Sequence, residues 1–386
     1  MYVVVGVCTV AFVLTMLGMS AAVLGKNAAG TRDYVAYWAS GQLLAHHADP
    51  YDAKGVLRLE RSAGYDPSKS VMIMRNPPSA LLLALPLGLF GAKAGELLWM
   101  SLLLAAWVAS VRMVSAMHGY PPSRMYVLGY SFGPALVCLT AGQVALFLLF
   151  GLVTFLRLHR SSPFLAGMAV WLCMLKPHLF LPFGVVLAIW AIATKSYRVL
   201  LGLAVALGIS NAVAAIFDPA VWTHYTAMLR SDHVAESVIP CMSIELRDAI
   251  SPHSIWVQCL PAVLGCAWAI KYYRRCRTEW DWMEHGSLLV LVSVVVAPYA
   301  WLTDQSVVLP ALLHGAYRTR SWKSVSVLAL ASVVIEAGIL RGAQPFHSEF
   351  YIWTAPAWLA WYVWVARAPE VDGEAGMGQI ALEPSP

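Results

Sequence analysis

The chain has 386 residues, 59% of them hydrophobic and only 12% charged, with a net charge of +5 and a mean hydropathy of +0.65. Soluble domains carry about 25% charged residues, so an aqueous fold of this length, with half the usual solvating groups, is excluded. The apolar residues run in blocks that reach the ~20 residues needed to cross a bilayer. The positive charge lies mostly in short loops between them and implies no nucleic-acid partner.

In hydrocarbon each backbone polar group must be satisfied within its own segment, so the blocks read as helices. The expected class is all-α: a polytopic integral membrane protein of about 10–13 transmembrane or re-entrant helices, with membrane lipids as its surroundings. The first block, VVVGVCTVAFVLTMLGMSAAVL, lacks a basic leader and is too long for a signal peptide's apolar core. It reads as a retained first helix.

A long outer loop follows, over about 25–76, opening TRDYVAYWASGQLLAHHADPYD. Tyr37, Trp38 and Gly41 recur at helical spacing after Asp33, which predicts a short amphipathic helix along the membrane surface. Asp33 then serves either as that helix's N-cap or as a general base toward a hydroxyl in a partly desolvated cleft. Asp49-Pro50-Tyr51-Asp52 is a turn signature. Arg75 is a candidate phosphate ligand or a snorkelling side chain, and Asn76-Pro77-Pro78 is a rigid lead into a helix. Three simple crossings between Phe90 and Arg124 would invert everything downstream, so either PPSALLLALPLGLF is re-entrant or one segment is miscounted.

Further on, basic clusters mark the cytoplasmic side: Arg157 and Arg160; Lys195 and Arg198; Lys271, Arg274, Arg275 and Arg277; Arg318, Arg320 and Lys323. Three breaks fall between them on the other face: Gly142-Gln143, Lys176-Pro177-His178, and Pro298 to Asp304. A second outer loop covers about 218–254. Gln143 is a buried amide that binds a sugar hydroxyl or pins two helices. A lysine in mid-run, as Lys176 is, carries a functional reading unless it snorkels. Lys176 and His178 would suit the phosphate of a lipid-linked substrate, and with no carboxylate within a helical turn of Lys176 the ligand itself is the expected counter-charge. Asp304 sits at a break where a helix cap is the plain alternative. The aromatics Trp353, Trp358, Trp361, Tyr362 and Trp364 form an interfacial belt. The seven cysteines behave as small hydrophobes, Cys241 and Cys259 being the one pair placed to meet outside the membrane. No Walker loop, nucleophile elbow or zinc spacing occurs.

These patches, in this order, resemble the family-87 glycosyltransferases of the GT-C superfamily. The matching stretches are Asp33 to Ser40, Pro50 to Asp52, Asn76 to Pro78, Gly142 to Val144, Ala166-Gly167 through Lys176-Pro177, and Ala297 to Asp304. The resemblance implies a GT-C-like bundle that moves a sugar from a polyprenyl-phosphate donor to a glycolipid or glycan acceptor, as the family's α-1,2-mannosyltransferases do. It implies Asp33 as catalytic base; Lys176, His178 and Arg75 at the donor phosphate; and Tyr37, Trp38, Asp52, Asn76, Gln143, Trp301 and Asp304 around the substrates. Where several mannosyltransferases of the group have His-His after the conserved Trp, this chain has Leu302-Thr303-Asp304-Gln305, which leaves the sugar open. Neither metal nor cofactor is expected, since fixed cations can stabilise a phosphate leaving group. Residues 1–366 are then one transmembrane catalytic domain and 367–386 a disordered tail, in a bacterial inner membrane with the site facing the periplasm. The rivals are a transporter or flippase for a lipid-linked saccharide and a non-catalytic assembly subunit.

Overall fold

The computed structural model describes residues 2–24, 29–120, 126–231, 239, 241–252, 254–319, 321–342, 344–345 and 347–367. The expected disordered tail lies outside the described residues, apart from Arg367. The fold is an all-helical bundle, with no strand among the described residues.

In chain order, α1 (Tyr2–Leu24) is the first apolar block, and α2 (Tyr34–Ala45) and α3 (Ala53–Ser62) fold the stretch expected as a long loop. After a broken segment, Pro78–Leu89, come α4 (Ala92–Met117), α5 (Gly133–Ala141), α6 (Ala145–Leu158), α7 (Pro163–Cys173) and α8 (Leu181–Ala193). Then follow α9 (Tyr197–Phe217), α10 (Val221–Ser231), α11 (Met242–Ile250) and α12 (Ile255–Cys276). The chain closes with α13 (Glu284–Val295), α14 (Leu309–Thr319), α15 (Trp322–Leu340) and α16 (Thr354–Arg367). By length and composition four of these, α4, α9, α12 and α15, can cross a membrane unaided, and shorter apolar helices fill the bundle between them. The shortness has a local cause: Pro163, Pro177 and Pro182 each stand in a first helical turn, where proline's missing N–H costs nothing but the preceding helix must stop.

Side-chain contacts define two ends of the bundle. At one, Arg160 pairs with Asp281 at 3.1 Å and Arg318 with Glu284 at 2.5 Å, tying together the basic loops. At the other, Gln143 reaches Asp33, Lys176 reaches Asp304 and Asn76 reaches the Leu175 carbonyl. The three breaks read from the sequence therefore share one end.

Two expectations change. The helix after Asp33 is not an amphipathic surface helix: nine of the twelve residues of α2 are buried. The amphipathic helix of this region is α3, which exposes Lys54, Arg58 and Arg61 while burying Val56 and Glu60. The second concerns the Pro-flanked stretch: Pro78–Leu89 is a run of short helical turns laid on α2, too short to cross a bilayer by itself. Its leading end, at Asn76, bonds beside Lys176, and its trailing end is held by Trp38 Nε1 donating to the Phe90 carbonyl (2.9 Å) and the Tyr34 hydroxyl donating to Ala92 (2.9 Å). The segment lies on α2 at backbone contact: a Cβ on Gly41 would fall 2.1 Å from the Ala84 carbonyl oxygen, and one on Gly88 2.1 Å from that of Gly41. This contact encloses α2 on the side that a surface helix would show to solvent.

Candidate active site

At the end of the bundle where the three breaks meet lies a cavity of about 400 Å³. Of the residues expected at the site, Asp33, Tyr37, Arg75, Asn76, Gln143, Lys176, His178 and Trp301 line it. Trp38, Asp52 and Asp304 do not.

The Asp33 wall is built by a helix ending. Gly142 closes α5 in the left-handed conformation (φ 73°), with its N–H on the Leu139 carbonyl and the Gln143 N–H on that of Cys138, both at 3.0 Å. This is a Schellman ending, which needs glycine at the left-handed position. Trp99 Nε1 donates to the Gly142 carbonyl at 2.8 Å, and the Trp99 ring stacks on Tyr37 at 5.1 Å. Gln143, fixed in this way, donates Nε2 to Asp33 Oδ2 at 2.6 Å. The Tyr37 hydroxyl donates to the other end of the same amide, Oε1, at 3.0 Å, and so turns the NH₂ group toward the carboxylate.

Asp33 stands at the N-cap position of α2, yet its side chain makes no capping bond. Of the two uses open for it, the cap is the one its side chain does not take up. Burial raises its pKa above the ordinary carboxylate value, opposed by the Gln143 hydrogen bond and by the charges of Lys176 and His347.

The opposing group sits on the turn Lys176-Pro177-His178. Lys176 is buried and donates Nζ to Asp304 Oδ1 at 2.6 Å; the Asp304 carboxylate is fully enclosed, and its Oδ2 accepts the Trp301 N–H at 3.1 Å. This corrects the expectation that a ligand alone supplies the counter-charge. The partner lies 128 residues away in the chain, far outside the helical turn around the lysine. Asp304 thus both caps its turn and neutralises the lysine. His178 stacks on Tyr299 with ring centroids 3.9 Å apart, and its Nε2 has no hydrogen-bond partner among the described residues. Asn76 donates Nδ2 to the Leu175 carbonyl (2.8 Å) while its backbone carbonyl accepts the Tyr51 hydroxyl (3.0 Å), so this residue locks the cavity wall to the lysine turn.

Two expected substrate contacts have other employment. Trp38 spends its N–H on Phe90, and Asp52 is the exposed N-cap of α3, accepting from the Lys54 and Gly55 N–H groups at 3.2 and 3.0 Å. Other lining residues escaped the sequence reading: Tyr225, Tyr299 and His347. His347 comes from the turn before α16, and no pattern in the chain announces that this turn reaches back. The buried pair Arg32–Glu96, at 3.1 Å, was missed as well, although a carboxylate at the head of the apolar run of α4 is a signal that could have been used.

Electrostatically the cavity sets a hydrogen-bonded carboxyl of raised pKa among Arg75, Lys176, His178 and His347. Such a set can take a proton from a hydroxyl and hold an anion. Compared with known proteins, the chain matches the sequence model of Glycosyltransferase family 87 over residues 75–316. No curated protein and no solved structure matches it.

Proposed function

The chain belongs to glycosyltransferase family 87, and on that premise we propose that it moves a hexose or pentose from a polyprenyl-phosphate donor to a glycolipid or glycan acceptor of the envelope, with Asp33 as general base. The observation that carries this reading is the placement of an uncapped, hydrogen-bonded carboxyl and three candidate phosphate ligands in one cavity. Asp33 itself precedes the matched span, so its role rests on geometry.

In the step proposed, the acceptor hydroxyl gives its proton to an Asp33 oxygen while its own oxygen bonds to the anomeric carbon. The bond from that carbon to the phosphate oxygen breaks, and the electron pair leaves on the phosphate. A single displacement of this kind inverts the anomeric centre. Lys176, His178 and Arg75 would hold the departing charge, so no step requires a metal. The donor's lipid chain would remain in the bilayer, with residues 1–366 acting as one catalytic unit. Family membership favours this reading over a transporter or flippase, which would move the lipid-linked sugar without changing any bond.

The test is transfer by Asp33→Asn. The amide should leave a folded, membrane-inserted protein whose turnover falls by roughly 10²–10⁴, the usual contribution of a general base. Near wild-type turnover would place the base elsewhere. For the phosphate, Lys176→Ala alone would strand Asp304, so the informative variant is Lys176→Met with Asp304→Asn. It should raise the donor KM with little change for the acceptor. An unchanged donor KM would assign Lys176 a structural role only.

A further inference from the structure

Outside the cavity, two Asp-Pro turns meet over one imidazole. Asp49 precedes Pro50 in the turn between α2 and α3, and Asp218 precedes Pro219 at the end of α9. Each accepts the N–H two residues on: Asp49 Oδ1 from Tyr51 at 2.8 Å, and Asp218 Oδ1 from Ala220 at 3.0 Å. His224, one turn into α10, directs Nδ1 toward both carboxyls, 2.7 Å from Asp218 Oδ2 and 3.5 Å from Asp49 Oδ1. One ligand atom from each of the three lies within 4.8 Å of the others. The Asp218 side chain is 8% exposed and those of Asp49 and His224 are 32%, so the group is recessed and still open on one side.

The two turns are held together by contacts outside the trio. His47 Nδ1 bonds the Phe217 carbonyl at 2.9 Å and the two rings stack, while Tyr51 packs on Tyr225 with ring centroids 5.4 Å apart. Two carboxylates sharing a site repel each other. Among the described residues, the ion-pair partner of both is His224. An imidazolium sets one positive charge against two negative ones, whereas a divalent ion bound with a neutral imidazole balances both. Ligand atoms about 2.0–2.2 Å from a zinc-type ion stand roughly 3–3.6 Å apart, so small side-chain shifts about the imidazole suffice.

We propose that Asp49, Asp218 and His224 form a binding site for a divalent transition-metal ion of the zinc or manganese kind, with water completing its shell. The mixed oxygen and imidazole set favours such an ion over calcium, which takes oxygen ligands throughout. None of the three residues lines the cavity, so the transfer step itself still requires no metal. The consequence is mechanical. Two residues beyond Asp49, the Tyr51 hydroxyl holds the Asn76 carbonyl, and one residue beyond His224, Tyr225 lines the cavity. An ion joining the two turns therefore fastens two parts of the cavity wall at once. The site stands whether or not Asp33 is the base.

The test is equilibrium dialysis of the full-length, tag-free protein in detergent, stripped with a chelator and offered zinc, with bound metal counted by elemental mass spectrometry. One zinc per chain is expected, together with a rise in melting temperature. Asp49→Asn and Asp218→Asn each keep a side-chain carbonyl for the backbone N–H, which preserves both turns; His224→Gln is the third variant. Losing a group that merely supports a ligand costs about 10–100-fold in metal affinity. Each substitution should therefore weaken zinc binding by at least about tenfold and remove the gain in melting temperature. If one variant fails to fold, the other two carry the test. Manganese should show the same dependence on the three residues, and calcium should leave the melt unchanged. Absence of stoichiometric zinc overturns the proposal and leaves a hydrogen-bonded Asp–His–Asp cluster. Zinc uptake that survives all three substitutions overturns it as well, by assigning the metal to histidines or cysteines elsewhere, and so does binding of calcium in preference to zinc.

Discussion

The bundle uses the same pair of charges at its two ends to opposite effect. At the basic end, Arg160 and Asp281 meet at 3.1 Å with side chains 72% and 42% exposed. At the cavity end, Lys176 and Asp304 meet at 2.6 Å with 11% and 0% exposed. An exposed pair gains little over water, usually less than about 1 kcal/mol. A buried one brings a desolvation cost that its attraction barely offsets, and it becomes indispensable once formed, because losing either partner strands the other. The basic end therefore gains little from its pair, while the cavity end holds charge where charge is expensive. Polar groups kept at that cost are the ones to connect with chemistry.

The comparison breaks first on sidedness, where the expected effect is all-or-none. With the partly exposed Cys259, Cys266 and Cys276 replaced, Ser68→Cys on the loop near the cavity should react with an impermeant thiol reagent from outside the cell. Ser161→Cys, at the basic end, should react only once the membrane is opened. Labelling of both from one side would contradict the proposed inner-membrane orientation with an outward site. Next in size, Asp304→Asn should lower stability by about 3–5 kcal/mol, since it leaves the lysine buried and unpaired. A thermal melt in detergent reads this as a large fall in Tm. The smallest effect belongs to Arg160→Ala, expected within about 0.5 kcal/mol of wild type in the same melt. Equal losses from these two changes would mean that burial does not separate the ends.

Much of the cavity was legible because membranes penalise polarity. Gln143, Lys176 and Asp304 stand out as residues that an apolar run does not tolerate without cause, and with Asp33 they make up two bonded pairs, Gln143–Asp33 and Lys176–Asp304. Their pairing was not legible. The Lys176–Asp304 contact spans 128 positions and the Asp33–Gln143 contact spans 110, and nothing local encodes such distances. The helix after Asp33 was misjudged for a related reason. Aromatics at helical spacing suggest a wetted opposite face, but here that face is covered by Pro78–Leu89, a segment whose course the hydropathy left undecided. In the same way Asp52 resembled a ligand in its Pro-Tyr-Asp setting and proved to be a cap.

The segment that covers α2 also bears on how the protein is made. Pro78–Leu89, a short α-turn flanked by 3-10 turns and interrupted by Pro86, offers the insertion machinery no stretch that would partition into lipid as an independent helix. It acquires a place only when the glycine surface of α2 is there to receive it. Its place beside α2 therefore depends on tertiary packing and not on its own hydropathy. A variant that loses this packing can insert its spanning helices and still lack the wall that carries Arg75 and Asn76. An assay of membrane insertion alone would not report that loss.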